Sequence, residues 1–178
     1  MHRKNLNLIL AGLALSSPVA LVAYAETYMN EDQAGTSLFP GVQLKLNLLE
    51  LTPDEVKAIE KKSDERVLSP KLRVYRGTKG ETLFIDRVIG KHEFITYAAA
   101  INPDGKVKGI EIMDYKETFG KQVRNKDWRD QFAGKDESST LRVTKDIKNI
   151  SGATLSSVHI TNGVRRILQT YEIIKSRI

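Results

Sequence analysis

The clearest pattern of apolar and polar positions lies at the carboxyl end of the chain. Apolar side chains recur there every three or four residues, at Ile160, Val164, Ile167, Leu168, Tyr171 and Ile174. Polar side chains occupy the opposite, solvent-facing side of such a repeat, at Arg165, Arg166, Gln169, Glu172 and Lys175. This repeat is typical of an amphipathic α-helix. The pattern therefore predicts a long C-terminal helix, in which Gly163 permits close packing on a sheet or a bound group.

Four segments rich in β-branched and aromatic residues precede this helix, at 72–76, 82–89, 93–101 and 106–113. The last two are separated by Asn-Pro-Asp-Gly, which is a strong turn signal. In the last segment Val107, Ile110 and Ile112 stand among polar neighbours, as in a half-buried strand. We expect the four segments to form an antiparallel meander.

The other segments carry weaker patterns. Residues 26–50 are expected to be an extended or mixed lead-in. Thr52, Pro53 and Glu55 form a capping box with proline at the first helical position, and predict a short helix ending near residue 62. Two further short elements are predicted, a helix around 126–132 and a last strand at 141–144.

Together these elements predict an α+β fold, with helices packed on a mostly antiparallel, twisted sheet. A length of 178 residues is enough for one domain with a single hydrophobic core. We place the main domain at 71–178, and the lead-in with its short helix at 26–70.

Residues 1–25 form a different kind of segment. A positive start at Arg3 and Lys4 precedes a mostly apolar stretch and the small-residue motif Ala-Tyr-Ala at 23–25. This order is that of a cleaved signal peptide, and predicts a periplasmic protein. An uncleaved membrane anchor is the alternative, because the apolar stretch is nearly long enough to span a bilayer. Both alternatives export the domain.

Charge and composition exclude several classes of function. Lys and Arg number 28 against 22 Asp and Glu, a formal net charge of +6. The basic residues are dispersed among acidic ones rather than clustered, so nucleic acid is not expected as a partner. The absence of cysteine excludes Fe–S clusters, c-type haem and a thiol nucleophile. His92 and His159 lack a second ligand at metal spacing, so no metal site is predicted.

The sequence Ser-Gly-Ala-Thr-Leu-Ser-Ser at 151–157 leads into the predicted C-terminal helix. Gly152 and Ala153 are small, so the backbone can approach a ligand closely, and the amides that open a helix favour a phosphate. Taken alone, the segment is also compatible with an ordinary helix start at which Thr154 is the cap. Three hydroxyls could bond the same amides: those of Ser151, Ser156 and Ser157.

These seven residues closely resemble the flavinylation motif of the FMN-binding domain family, which is found in the G subunit of Rnf complexes and the C subunit of sodium-pumping quinone reductases. Glu-Thr-Phe-Gly at 117–120 resembles the family's Glu-Thr-Pro-Gly loop. A third segment resembles the family's Trp-x-x-Gln-Phe-x-Gly motif, at Trp128, Gln131, Phe132 and Gly134. The resemblance extends over about residues 72–175.

The resemblance implies that Thr154 carries FMN covalently, through a phosphoester made by a separate flavin transferase that uses FAD. Glu117 and Thr118 would lie beside the isoalloxazine ring, where Thr118 and loop amides bond its pyrimidine edge. Trp128 and Phe132 are favoured as core residues over ring-stacking groups. The predicted cofactor-binding residues are Thr154, Ser151, Gly152, Ala153, Leu155, Ser156, Ser157, Glu117 and Thr118.

The chain departs from the family at two positions. Phe119 replaces the proline of the flavin loop, and Lys148 replaces the acid six residues before the acceptor threonine. The nearest acid is Asp146, two residues earlier.

We therefore expect an exported electron-transfer flavoprotein that passes electrons between redox partners, such as a membrane reductase or a cytochrome. It could act alone or as a subunit of an Rnf-like or quinone-reductase-like complex. The alternative is an FMN-free exported structural or binding module that keeps the fold, which Lys148 favours. A hydrolase built on Ser151 and His159 is not expected, because the Gly-x-Ser-x-Gly elbow is missing.

Overall fold

The computed structural model describes residues 26–178. Within them are six β-strands: β1 (Glu26–Thr27), β2 (Lys45–Glu50), β3 (Lys71–Arg76), β4 (Thr82–Ile89), β5 (Phe94–Ile101) and β6 (Val107–Tyr115). The same residues form four α-helices: α1 (Glu31–Leu38), α2 (Pro53–Ser63), α3 (Lys126–Arg129) and α4 (Thr154–Ile174). No helix of this described part has the length and apolar character needed to cross a bilayer. The signal-peptide prediction for residues 1–25 lies outside it.

All six strands join one antiparallel sheet, in the order β1-β6-β5-β4-β3-β2. Strands β3 to β6 follow one another as the expected meander. One face of the sheet packs against α4, on which α2 rests, and the other face packs against α1. Alternate residues of β5 serve the two sides, since Tyr97 and Ala99 face α4 while Ala98 and Ala100 face α1. The predicted α+β fold with its C-terminal helix is confirmed.

The lead-in contains elements that the sequence pattern did not reveal. Helix α1 begins at a capping box, in which the Asn30 and Gln33 side chains each accept the other's main-chain N–H. Its interior carries Gly-Thr-Ser at 35–37, which are weak helix formers, so packing on β5 and β6 must hold it. Strand β2 pairs with β3 at the sheet edge. Leu46 and Leu48 of this strand are exposed, so its apolar residues do not mark a buried face in the sequence.

The helix predicted after Thr52 is confirmed as α2. The Glu55 carboxylate accepts the Thr52 N–H at 2.8 Å, and the Thr52 hydroxyl accepts the Glu55 N–H at 3.2 Å. At the other end, Asp64 is the C-cap in the left-handed conformation, with φ of 55°. Arg165 of α4 donates to the Ser63 carbonyl at 2.7 Å. Local capping therefore defines α2, and a contact with α4 positions its end.

The last strand predicted from the sequence is wrong. Leu141 and Thr144 have φ values of 44° and 71°, in the left-handed region that a continuous strand excludes. The pairing there is a single bridge between Val143 and Ile147. The segment is a loop, held by the Asp146 carboxylate, which accepts the Leu141 N–H at 3.0 Å.

Helix α4 is buried on most of its sides, which its amphipathic pattern did not predict. Arg165, Arg166 and Gln169, expected on a solvent face, are only 7%, 6% and 8% exposed. Each donates to a main-chain carbonyl of a surrounding loop, at 2.6, 2.8 and 3.0 Å respectively. The N–H groups of these side chains thus provide hydrogen bonds to loop carbonyls that are buried against the helix.

Gly163 lets α4 approach the sheet closely. A Cβ at this position would overlap the Tyr97 hydroxyl and lie 2.7 Å from Cγ1 of Val88. We expect Gly163→Ala to lower the free energy of unfolding by about 1 to 3 kcal/mol, because overpacking forces side chains out of their rotamers. Urea denaturation measures the change. The double variant Gly163→Ala, Tyr97→Phe should lose less unfolding free energy than the sum of the losses in the two single variants. A Gly163→Ala protein as stable as wild type would contradict the close approach.

Candidate functional site

Thr154 is the first residue of α4, and it is exposed. The side-chain amide of Asn149 donates to Thr154 Oγ1 at 3.0 Å, which orients the side chain without burying it. Gly152 has φ of +81°, and apart from its own atoms and those of its two chain neighbours no atom of the described residues lies within 4 Å of the place its Cβ would occupy. A left-handed glycine thus turns the chain into the helix and leaves open space close to the threonine.

No side chain within residues 26–178 caps the amides that open α4. The N-cap position is Ala153, which offers no acceptor, and the Ser157 N–H donates to the Ala153 carbonyl at 2.9 Å. The N–H groups of Thr154, Leu155 and Ser156 lie ahead of that bond, where a helix has no internal acceptor. The helix has 21 residues, so its dipole adds partial positive charge at this end. An anionic group such as a phosphate suits this position.

Tyr115 connects the 117–120 loop to the first turn of α4. Its side chain is fully buried, and its hydroxyl donates to the Phe119 carbonyl and accepts from the Ser156 hydroxyl at 2.9 Å. Burial raises the pKa of Tyr115, so the phenol keeps its proton at neutral pH. A Cβ on Gly120 would overlap the Tyr115 hydroxyl and lie 3.0 Å from Ser156 Oγ. The loop and the turn therefore touch.

Replacing Tyr115 by phenylalanine tests this connection. The substitution leaves the Phe119 carbonyl and the Ser156 hydroxyl without their partner, so we expect a loss of about 1 to 3 kcal/mol in unfolding free energy. Amide hydrogen exchange at 118–122 should quicken, because the loop loses its attachment. Ser156→Ala removes only one of the two bonds and should have the smaller effect on exchange. Unchanged exchange in Tyr115→Phe would show that the loop is held elsewhere.

Glu117 lies at the base of the same loop, with 7% of its surface exposed. Its carboxylate accepts the N–H groups of His92 and of Glu93, the latter at 3.0 Å, and so holds the turn between β4 and β5. Burial by itself raises the pKa of Glu117, but the main-chain N–H donors of Glu93, His92 and Lys91 outweigh it and lower the pKa. Its predicted place beside a flavin ring stays a prediction; the structure gives it a role in joining two loops.

Thr118 and Phe119 form the outer part of the loop. Both are exposed, and Phe119 has 81% of its surface open to solvent. They line a shallow cleft of about 500 Å³ together with Gly120, Lys121, Gln122, Arg124 and Asn125. Gly120, which lines this cleft, is also the loop residue that lies against Ser156 in the first turn of α4.

Trp128 and Gln131 hold the backbone that leads to Thr154. The Trp128 indole N–H donates to the Lys148 carbonyl at 2.8 Å, and the Gln131 side-chain oxygen accepts the Lys148 N–H at 2.7 Å. The Trp128 ring also packs edge-on against Phe132, with centroids 5.2 Å apart. Trp128 is 5% exposed and Phe132 fully buried, which confirms both as core residues. Trp128 and Gln131 therefore fix the backbone that leads into the turn before Thr154.

Asp146, the nearest acid before Thr154, is already engaged. Its carboxylate accepts the N–H groups of Leu141 and Arg142 at 3.0 and 2.9 Å and pairs with Lys135 at 3.1 Å. Burial raises the pKa of Asp146, but these hydrogen bonds and Lys135 lower it further than burial raises it. The carboxylate therefore stabilises its own loop. The Lys148 side chain, by contrast, is exposed, because only its backbone is held.

The remaining residues of the segment differ in their surroundings. Ser151 is exposed, and Leu155 is 47% exposed. Ser157 is fully buried, and its hydroxyl has no hydrogen-bond partner among the described residues. Ser156 can reach a phosphate through its main-chain N–H, because its hydroxyl is held inside by Tyr115. For Ser157 the N–H is already donated, so its predicted phosphate contact stays a prediction.

The residues present fit FMN in two respects. Uncapped amides at the start of a long helix suit its phosphate, and an exposed threonine beside open space suits a bulky substituent. Sequence reasoning missed Tyr115 and Asn149, which look like an ordinary strand residue and an ordinary loop residue. Gln131 stood in a recognised motif, yet its hold on Lys148 became visible only in the fold. Within residues 26–178 no group of three or more His, Cys, Asp or Glu side chains is arranged to hold a metal ion.

Comparison with known proteins agrees with this geometry. The chain is 35% identical over 81 residues to the G subunit of the Na(+)-translocating ferredoxin:NAD(+) oxidoreductase complex of Acetobacterium woodii. That match covers 40% of this chain and 39% of the relative, so the chain spans about two fifths of the relative's length. The sequence model of the FMN-binding domain matches residues 90–169, which include the 117–120 loop, the Trp128 segment and the turn at Thr154. Over residues 90–169 the chain is therefore similar to the FMN-binding domain family.

Proposed function

We propose that this protein is an exported electron-transfer flavoprotein that carries FMN covalently on Thr154, through a phosphoester. One observation supports the linkage above all others: the threonine is exposed at the uncapped start of a 21-residue helix. The phosphodiester would keep one negative charge. Interaction with the helix dipole would stabilise that charge by about 0.3 to 1 kcal/mol.

Thr154 needs help to react. A threonine hydroxyl is a weak nucleophile without a base, and the hydrogen bond found on Oγ1 comes from a donor, the Asn149 amide. We therefore assign attachment to a separate flavin transferase that uses FAD. Thr154 Oγ1 would bond to the phosphorus of the FMN half, the bond between the two phosphates would break, AMP would leave, and the hydroxyl proton would pass to water.

Once attached, FMN would supply the redox chemistry through its isoalloxazine ring. The protein's own residues would bind and orient it. The amides of Thr154, Leu155 and Ser156 would hold the phosphate, and Tyr115 would keep the 117–120 loop against that turn. Leu155 and Phe119 offer exposed apolar surface on the two sides.

The relative's name describes that protein as part of a multi-subunit ferredoxin:NAD(+) oxidoreductase complex. We propose redox partners for this chain too, such as a membrane reductase or a cytochrome. An FMN-free exported binding module is the second candidate, favoured by Lys148 in place of an acid.

Acid precipitation separates the two candidates. The mature protein, made in a host with a flavin transferase, should stay yellow after denaturation, because a phosphoester survives unfolding whereas hydrogen-bonded FMN does not. Its intact mass should exceed that of the polypeptide by one FMN less one water. Flavin found wholly in the supernatant would exclude covalent attachment, and protein purified without any flavin would favour the second candidate.

Lys148→Asp should raise the flavin-loaded fraction if the transferase requires an acid six residues before the threonine. The position is exposed and its backbone is fixed by Trp128 and Gln131, so the substitution should leave the turn intact. The ratio of flavin to protein absorbance measures loading, with Lys148→Gln as the control for loss of positive charge alone. Equal loading in all three proteins would mean that this position does not matter to the transferase. Asp146 is a poor comparison, since removing it also disturbs its loop.

A further inference from the structure

The sheet is split between β3 and β4. Residues 73–76 of β3 pair with 82–85 of β4, and the pairing stops there. Residues 71–72 continue alongside β2, while 86–89 continue alongside β5. The two strands therefore diverge, and a gap opens in the middle of the sheet.

A cavity of about 350 Å³ occupies this gap. The inner wall of the cavity is apolar. Its main side chains are those of Leu51, between β2 and α2, Leu72 of β3, Phe84 of β4 and Ile167 of α4. Leu51, Phe84 and Ile167 are only 4%, 3% and 3% exposed, so they belong to the core. The volume lies in the range of small-molecule sites, roughly 300 to 1,000 Å³.

The mouth of the cavity is positively charged. Lys71, Arg73 and Arg87 line it and are exposed. Arg73 is paired with Glu31 at 2.6 Å, whereas the other two cations have no ion pair with a carboxylate of the described residues. Arg87 keeps its position by lying over the Phe94 ring, 4.5 Å from the centroid.

An ion pair between a buried arginine and a half-buried aspartate closes the gap on one side. Arg166 of α4 pairs with Asp86 at 2.7 Å and also donates to the carbonyls of Arg66 and Arg87 at 2.8 and 3.1 Å. These bonds give the carbonyls of both residues a hydrogen-bond donor at the edge of the gap. The wall is therefore built from core contacts, and the lining carries four cationic against two carboxylate side chains.

The cavity is separate from the flavin-attachment turn. Arg166 lies twelve residues along α4 from Thr154, which corresponds to roughly 18 Å at 1.5 Å per residue. The residues that line the cavity have no role in holding FMN, so ligand binding in the cavity does not depend on the proposed function.

We propose that this cavity binds a small amphipathic carboxylate, such as a medium-chain fatty acid. The apolar body lies against Leu72, Phe84 and Ile167, and the carboxylate meets Lys71 and Arg87 at the mouth. An apolar wall alone would accept a neutral ligand as readily, but the unmatched cations favour an anion, since hydrogen bonds to charged groups are the stronger ones.

Calorimetric titration of the full chain with decanoate tests the proposal, with decanol and acetate as matched probes. Decanoate should bind saturably with a stoichiometry of one. Decanol, which has the chain without the charge, should bind about tenfold more weakly, and acetate, which has the charge without the chain, should not bind measurably. Absence of saturable decanoate binding, or equal affinity for decanol, would overturn the proposal.

Two variants locate the site, and a third serves as their control. Leu72→Trp should fill the cavity and weaken decanoate at least about tenfold, whereas Leu46→Trp, an exposed position on the neighbouring strand outside the lining, should leave binding unchanged. The double variant Lys71→Gln, Arg87→Gln removes the two exposed charges, with the contact of Arg87 on the Phe94 ring, and should reduce decanoate to the affinity of decanol. Because this variant leaves the core intact, it keeps the test valid if Leu72→Trp folds poorly. Decanoate binding at the wild-type level in both Leu72→Trp and the double variant would place the ligand elsewhere and overturn the assignment.

Discussion

Thr154→Val is expected to remove covalent flavin completely while leaving the fold intact. Valine keeps the β-branched shape of threonine at an exposed position, so the loss is the hydroxyl and its one hydrogen bond from Asn149. Unfolding free energy should change by less than about 1 kcal/mol. The loaded fraction, in contrast, should fall from that of wild type to zero.

The measurement is intact mass and visible absorbance of acid-precipitated protein, after expression with a flavin transferase. Thr154→Ser keeps a hydroxyl at the same place and should retain part of the loading, which separates loss of the nucleophile from damage to the turn. Covalent flavin on the Thr154→Val protein would show that another residue is the acceptor. The structure then favours Ser151, which is exposed, over Ser156, whose hydroxyl is held inside by Tyr115.

Asp86→Ala is expected to cause the largest loss of stability. It removes the carboxylate that faces Arg166, whose side chain is only 8% exposed, and it takes the acceptor from the Tyr97 hydroxyl at 3.1 Å. Burial lowers the pKa of Arg166, but the surrounding groups, Asp86 foremost with Tyr97 and Glu65, together raise it above its usual value, so the guanidinium stays charged. A buried cation without its partner should reduce the free energy of unfolding by about 3 kcal/mol.

Urea denaturation gives this value, with Asp54→Ala as the control for loss of a carboxylate in a fully solvated pair. Replacing both partners, as in Asp86→Ala with Arg166→Met, should be less damaging than the sum of the two single substitutions, because no uncompensated charge is left inside. Additive losses in the double variant would show that the pair is not coupled.

Local signals in the sequence were enough for several elements. The capping box of Thr52 and Glu55 predicted α2, because the bonds that start this helix join residues three apart. The turn at 102–105 and the apolar alternation beyond it predicted β5 and β6 for the same reason. The three resembling segments identified the attachment turn, although the partners of its residues remained unknown.

Elements that depend on distant partners were missed or wrongly assigned. Helix α1 has weak formers in its interior and is held by the sheet beneath it, and the segment at 141–144 is a loop because Asp146 and Arg165 bond its backbone. Arg165 and Arg166 appeared solvent-facing from their spacing alone. Their burial follows from loops that wrap α4 and present carbonyls to them, which periodicity cannot show.

The sequence by itself determined the α+β class, the meander, the C-terminal helix and the residue types of the attachment turn, because each follows from periodicity or from contacts within a few residues. Only the tertiary structure decided how the turn is supported: Tyr115 joins it to the 117–120 loop, and Trp128 and Gln131 hold the backbone before it. The same holds for the gap between β3 and β4, since divergence of two strands depends on what each pairs with on its other side. Contacts between residues far apart in the chain carry no local pattern, and the site's geometry consists of such contacts.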